Sequence, residues 1–252
     1  MQNLGVFLVS MKQDSKRREI LKQNFKSSYN EFFIVEAING KELLADLYYK
    51  KSFKTSLDLK RLMSPGELGC TLSHIEALKA FLDSSFEFGL ILEDDVIGCD
   101  QDIEKIKNLE IKQDFVLICG AQDGLGSQKY IYGKKVFKDL FEVCKFSYPH
   151  IYRTCCYVVT KNSASKILKY QEANHDLADR WDKILKNSDL KLYFADIFSH
   201  PKDLKNSHIE KDRQNAKPSF LKKLFSKWIF VKIYSVLGII CLRILGYERV
   251  MK

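Results

Sequence analysis

Short, almost wholly apolar runs alternate along this chain with segments of helical pattern, and that alternation constrains the fold more than any other feature. Leu4–Val9 reads as a buried strand, Ser15 to Phe25 as a helix and Phe32–Ile38 as a second strand, a βαβ opening. Ser64-Pro65-Gly66-Glu67 then places Ser at an N-cap, Pro at the first helical position and Glu three residues after Ser. This capping box predicts a helix running to about Leu82. Gly89–Leu92, Phe115–Cys119, Cys155–Thr160 and Lys191–Ile197 read as further strands, with helices starting near Asp100 and Asn162. Strands that alternate with helices predict an α/β sheet with helices on its faces. Lys41–Lys60, charged and rich in aromatics, is expected to be an irregular, mobile insertion.

The 252 residues are 46% hydrophobic, enough to bury a sizeable core, which excludes a disordered or low-complexity chain. The net charge of +9 is unevenly spread. Residues 217–252 hold eight Lys and Arg against Glu248 alone, a surplus of seven, so the first 216 residues carry only +2. A nearly neutral body argues against nucleic acid as the partner. The tail is also greasy. Leu221, Leu224, Phe225 and Trp228 share one helical side, Lys222, Lys223 and Lys227 share the other, and Ile233–Leu242 is apolar on nearly every face. Ten uncharged residues are too few to span a bilayer, which needs roughly 20. The tail therefore reads as an interfacial anchor on an anionic membrane surface; the plain alternative is a helix docked on the domain or on a second subunit. The start, MQNLGVFLVSM, lacks a basic n-region and a small-residue cleavage site, so no secretory signal is expected. Seven cysteines without a CxxC pair read as reduced residues of a cytoplasmic protein.

Three places can carry chemistry. The first is LILEDDV, Leu90–Val96, in which a buried strand runs into Glu93, Asp94 and Asp95. Adjacent carboxylates there are costly unless something positive neutralises them, and ligands of open α/β sheets bind beyond the carboxyl ends of strands. A divalent cation held by one or two of them would offset charge on a nucleoside diphosphate leaving group. The plain reading is a solvated acidic turn. The second is GELGCTLSH, Gly66–His74. Glu67 has a local role in the capping box, and His74 shares a face with Cys70, Ala77, Leu78 and Phe81, which reads as core; the helix start could still face an anion. The third is HDLADRWDKIL, His175–Leu185. Asp176 and Asp179 are expected on one helix face, with Asp182 drifting round it. These acids are either ion-paired surface residues or include a general base, with Trp181 as an apolar platform under a sugar ring. No GxGxxG, P-loop, GxSxG, HExxH or paired CxxC is present.

Taken in order, Arg17-Arg18 after the first strand, GELGCTLSH, LILEDDV, YVVTKNSASKIL and the Asp-rich segment resemble glycosyltransferase family 25 over roughly Leu4 to His208. That family comprises bacterial lipooligosaccharide glycosyltransferases related to collagen galactosyltransferases, and several members also end in a basic tail. The resemblance implies a GT-A-like nucleotide-sugar-binding sheet and inverting transfer of a sugar, most commonly galactose. The donor would be a UDP-sugar, and the acceptor a lipid-linked lipooligosaccharide or lipopolysaccharide glycan. It implies a divalent metal, Mn2+ or Mg2+, at Asp94 and Asp95, and donor or substrate contacts from Arg17, Arg18, Glu67, Ser73, His74 and Glu93. Asp179 best matches the family's later aspartate, with Asp182 as its rival for the general base. The Gly120–Tyr148 region, where acceptor loops would lie, is short.

The expected organisation is a catalytic domain over residues 1–208, a polar link over 209–218 and a basic, apolar, membrane-associating helical tail over 219–252. The enzyme is expected at the cytoplasmic face of the inner membrane, peripherally bound. A non-catalytic membrane-peripheral binding protein and a metal-dependent phosphohydrolase using the acidic cluster are the alternatives.

Overall fold

The computed structural model describes residues 1–201 and 238–251. Among the described residues, nine strands form one sheet: β1 (Leu4–Ser10), β2 (Phe33–Glu36), β3 (Phe88–Glu93), β4 (Phe115–Gly120), β5 (Tyr132–Phe137), β6 (Leu140–Val143), β7 (Cys156–Thr160), β8 (Lys191–Phe198) and β9 (Glu248–Arg249). Their order is β2-β1-β3-β7-β4-β8-β6-β5-β9. The helices are α1 (Ser15–Asn24), α2 (Ala45–Leu59), α3 (Pro65–Asp83), α4 (Asp100–Lys107), α5 (Lys161–Asn174) and the single turn α6 (Trp181–Ile184).

The central strands are apolar over most of their length because both faces are covered, with polar residues such as Ser10, Glu93 and Thr160 at their ends. Successive side chains point to opposite faces. Phe7, Val9, Ile91, Val116, Ile118, Tyr157, Val159, Leu192 and Phe194 pack with Ala77, Leu78 and Phe81 of α3, Ala164 and Ile167 of α5, and Trp181 and Ile184 of α6. The intervening residues, among them Val6, Leu8, Leu90, Leu92, Leu117, Val158 and Ala195, pack with Leu21 of α1 and Ile103 and Ile106 of α4. The expected α/β sheet with helices on both faces is the observed fold. The capping box is also present: Ser64 Oγ accepts from Glu67 N, and the Glu67 carboxylate accepts from Ser64 N.

Two expectations need correction, and one region holds strands that none of them named. Lys41–Lys60 is not irregular, since α2 fills most of it. Tyr48 and Leu59 turn inward onto a small core of Met63, Leu68, Leu72 and Ile75, and the Tyr48 hydroxyl donates to the Met63 carbonyl. Leu44, Phe53 and Leu57 remain exposed, so the apolar residues do not trace one clean helical stripe. Asp176 and Asp179 do not share a helix. His175 adopts a left-handed conformation (φ 45°) that ends α5, and helix resumes only at Trp181. Finally, the short Gly120–Tyr148 region contains the hairpin β5–β6, whose two-residue turn begins at Lys138 in a left-handed conformation (φ 41°).

The polar link and residues 219–237 of the expected tail lie outside the described residues. Residues 238–244 are helical. Beyond them, β9 pairs antiparallel with β5, Val250 N donates to the Ile131 carbonyl, and Val250 and Met251 are buried in the main core. The last part of the segment assigned to the tail is thus an edge strand of the body's sheet. Among the described residues no helix is long and apolar enough to cross a membrane. All seven cysteines are free thiols.

Candidate active site

β2, β1 and β3 are mutually parallel, β3 and β4 each run antiparallel to β7, and β8 is parallel to β4. Five strands therefore present their carboxyl ends to one edge, and β7 brings its amino end to the same edge. A cleft of about 300 Å³ opens there. Its walls come from the segments after β1 and β2, the end of β3, residues 153–155 before β7, the start of α3, the turn at 177–179 and His200 after β8.

The end of β3 delivers its three acids to different partners. Both Asp94 oxygens are engaged: Ser10 Oγ donates to Oδ2 at 2.7 Å and Arg17 Nη1 to Oδ1 at 2.8 Å. Burial outweighs these donors and raises the Asp94 carboxyl above its ordinary range. Asp95 sits between His200 Nε2 at 3.4 Å and Arg17 Nη1 at 3.8 Å. Burial pushes its carboxyl up, but His200 and Arg17 more than offset this and hold it below the ordinary value. Burial likewise lowers His200, and Asp95 outweighs it, so the imidazole is raised. Asp95 Oδ1 is buried and has no hydrogen-bond partner among the described residues. A buried carboxylate oxygen lacking a donor, beside a histidine nitrogen, is a donor set that fits a divalent cation. Glu93 instead turns to the α3 wall, accepting from Thr154 Oγ1 at 2.7 Å and lying 3.0 Å from His74 Nε2.

The GELGCTLSH segment is the first half of α3, and its polar residues hold the walls together. The Glu67 carboxylate is buried, taking both Arg61 guanidinium nitrogens at 2.7 and 2.8 Å besides Ser64 N. Ser73 Oγ accepts from Ile38 N at 2.8 Å and donates to the Gly69 carbonyl, which seats the segment after β2 on α3. Two glycines permit that approach. A Cβ on Gly40 would lie 1.7 Å from the Pro65 carbonyl oxygen, and one on Gly69 would lie 2.6 Å from that of Ile38. His74 is buried as its periodicity predicts, with Nδ1 3.1 Å from the Tyr157 hydroxyl, yet its Nε2 reaches Glu93 at the cleft.

The Asp-rich segment separates. Asp176 is buried, accepting from Leu177 N at 2.9 Å and the Tyr170 hydroxyl at 3.0 Å. Asp179 lines the cleft, and its Oδ2 accepts from Arg153 N at 3.0 Å. Asp182 pairs with Arg180 Nε at 3.6 Å and is not among the cleft-lining residues. Trp181 is 1% exposed, its ring edge-on to Tyr157. Burial of that ring leaves no face open to a sugar. Arg18 also stays out of the cleft lining. It donates to Ser10 Oγ and to the Met11 and Lys12 carbonyls, bracing the turn after β1. Of the residues expected at the site, the structure brings Arg17, Glu67, Ser73, His74, Glu93, Asp94, Asp95 and Asp179 to one cleft.

The profile of glycosyltransferase family 25 (LPS biosynthesis protein) matches residues 3–185. The chain belongs to glycosyltransferase family 25. The matched segment of this family 25 chain carries every part of the cleft except His200. Procollagen galactosyltransferase 1-B of Xenopus laevis is 31% identical over 96 residues, 36% of this chain and 16% of that protein. Human procollagen galactosyltransferase 2 is 29% identical over 96 residues, 36% of this chain and 15% of that protein. The chain thus matches about one sixth of the length of these curated relatives. Among solved structures, a mutant Drosophila β-1,4-galactosyltransferase 7 in complex with manganese, UDP-Gal and xylobiose aligns with a TM-score of 0.44 at 10% identity, covering 89% of this chain and 79% of that one. A glycosyltransferase involved in glycosylation of the PBCV-1 major capsid aligns with a TM-score of 0.42 at 11% identity, covering 84% and 97%.

Several cleft residues of this family 25 chain escaped the sequence reading. His200 had a usable signal, because it follows a strand parallel to the others. Arg153 had none. It holds a left-handed conformation (φ 67°) and donates from Nη1 to the Ala121 and Asp123 carbonyls, linking the segment after β4 to the Asp179 wall. Ser10 and Thr154 are short hydroxyl residues whose role appears only once Asp94 and Glu93 are beside them.

Proposed function

We propose that this family 25 protein transfers a sugar, galactose by preference, from a UDP-sugar to a lipooligosaccharide or lipopolysaccharide acceptor, with inversion at the anomeric carbon. The observation that carries the reading is the meeting in one cleft of a buried carboxylate oxygen without a donor (Asp95), a guanidinium beside it (Arg17) and a separate carboxylate on another wall (Asp179). Asp95 and His200 would hold the divalent cation, Mn2+ or Mg2+, with Asp94 fixing Arg17 alongside. When bound, such a cation offsets the negative charge that builds on a departing diphosphate. Arg17 contacts the same diphosphate by charge-assisted hydrogen bonds. Asp179, steadied by the Arg153 amide, takes the proton from the acceptor hydroxyl, so that a single displacement from the face opposite the leaving group inverts the centre. Glu67 and Ser73 act through the walls they brace, and His74 and Glu93 face the bound sugar nucleotide. The basic tail keeps the enzyme peripheral on the anionic cytoplasmic face of the inner membrane, where a lipid-linked acceptor is presented.

The test is a panel of UDP-sugars offered with lipooligosaccharide acceptors, monitoring both glycan product and UDP. The expected outcome is transfer of one sugar, with UDP release that requires acceptor. Equal release of UDP or phosphate without acceptor would instead mark a phosphohydrolase.

A further inference from the structure

We propose that Cys70, His74 and Glu93 form a second cation site in the cleft, one that takes a thiophilic divalent ion, Zn2+ above all, and is separate from Asp95 and His200. The sulfur, imidazole nitrogen and carboxylate oxygen of these residues all lie within 4.8 Å of one another. Four-coordinate Zn2+ with ligand bonds of about 2.0–2.3 Å keeps its donors about 3.3–3.7 Å apart, so small rotations of the Cys70 and Glu93 side chains close the triangle.

Their placement suits ligation. Cys70 and His74 are four residues apart on the 19-residue α3 and so share one of its faces, while Glu93 ends β3 opposite them. The Tyr157 hydroxyl, 3.1 Å from His74 Nδ1, fixes the ring so that Nε2 points to Glu93 at 3.0 Å. Thr154 Oγ1 donates to Glu93 and orients that carboxylate. Outer partners of this kind set the tautomer and direction of metal ligands. All three residues line the cleft, which supplies an entry path and leaves a fourth position for water. A sulfur, nitrogen and oxygen set favours Zn2+ over the oxygen-seeking Mn2+ or Mg2+. Because Glu93 adjoins Asp94 and Asp95, an ion here would occupy the cleft beside the proposed donor position and slow transfer. The binding itself does not depend on the transferase reading, and it is tested without turnover.

The full chain, freed of metal, is titrated with Co2+ while its absorption is recorded. One equivalent should produce a sulfur-to-cobalt charge-transfer band and the intense visible bands of four-coordinate Co2+, both removed by Zn2+. Cys70→Ser should abolish the charge-transfer band and weaken Zn2+ binding by more than about 100-fold, since losing a ligand exceeds the 10–100-fold cost of losing an outer partner. Glu93→Gln should keep the band and weaken binding at least about tenfold. Asp95→Asn should leave the band unchanged. A wild-type protein without the band, or a band that survives Cys70→Ser or disappears in a folded Asp95→Asn, overturns the proposal. Should Cys70→Ser fail to fold by circular dichroism, unchanged Zn2+ affinity in Glu93→Gln overturns it instead.

Discussion

Glu93–Asp95 and Asp176–Asp182 each carry three carboxylates, and the fold treats them oppositely. The first triplet ends a strand buried on both faces, so all three acids are delivered to one edge of the sheet and all three line the cleft. The second runs from the turn after α5 into the single turn of α6. Its acids part, one into the interior, one to the cleft and one to a neighbouring arginine. A carboxylate at the end of a central parallel strand is positioned by the whole sheet, whereas one in a connecting turn is positioned by its local partners alone.

Single substitutions test that contrast. The largest effect is expected from Asp95→Asn, which should lower transfer by about 1,000-fold, the upper end of the range seen when a key electrostatic stabiliser is lost. The variant should stay folded by circular dichroism, with its unfolding midpoint lowered by loss of the Oδ2 ion pair with His200 and Arg17. Next, Asp179→Asn should lower kcat by about 100-fold or more, as expected for a general base, while Asp182→Asn stays within about threefold. Equal losses in the two would erase the distinction between the cleft-facing and arginine-facing acids. Asp176→Ala should cost about 2 kcal/mol in urea unfolding, since it strands the Tyr170 hydroxyl and the Leu177 amide.

The smallest effect concerns Asp100, a fourth acid a few residues beyond the first triplet, which serves structure alone. It accepts from Ser27 N, Ser28 N and Ser28 Oγ, which outweigh the opposing effect of burial and hold its carboxyl at about 2. A folded-state value below the unfolded one, near 3.9, means that its stabilisation is full above about pH 4. It is lost as the pH falls through about 2. Asp100→Asn should therefore cost about 1 kcal/mol at neutral pH and nothing below pH 2, read from urea unfolding across that range.

The same contrast explains what the sequence could disclose. Strands buried on both faces are unbroken apolar runs, so β1, β3, β4 and β7 were legible, and with them the edge at which Asp94 and Asp95 lie. The capping box of α3 was legible because it is written in contiguous residues. β5 and β6 were not, for β5 is Lys-rich and exposed over most of its length and its turn uses a lysine rather than glycine or asparagine. α2 was hidden by its exposed leucines and phenylalanine. His74 shows that a core periodicity and a cleft role coexist: the ring is buried while one nitrogen reaches Glu93. The division of labour between Asp176 and Asp179 depends on the left-handed turn at His175 and the amide of Arg153, neither of which leaves a pattern in the chain.

On the proposed reading, the cleft at the carboxyl ends of β1 and β3 binds a nucleoside diphosphate together with a cation at Asp95. Calorimetric titration of UDP into wild-type protein and Asp95→Asn, each with and without Mn2+, tests it most directly. Mn2+ should tighten UDP binding by at least about tenfold in the wild type, a coupling of about 1.4 kcal/mol, and should have no effect in Asp95→Asn. UDP that binds the wild type equally well with and without Mn2+, or not at all, would contradict the account.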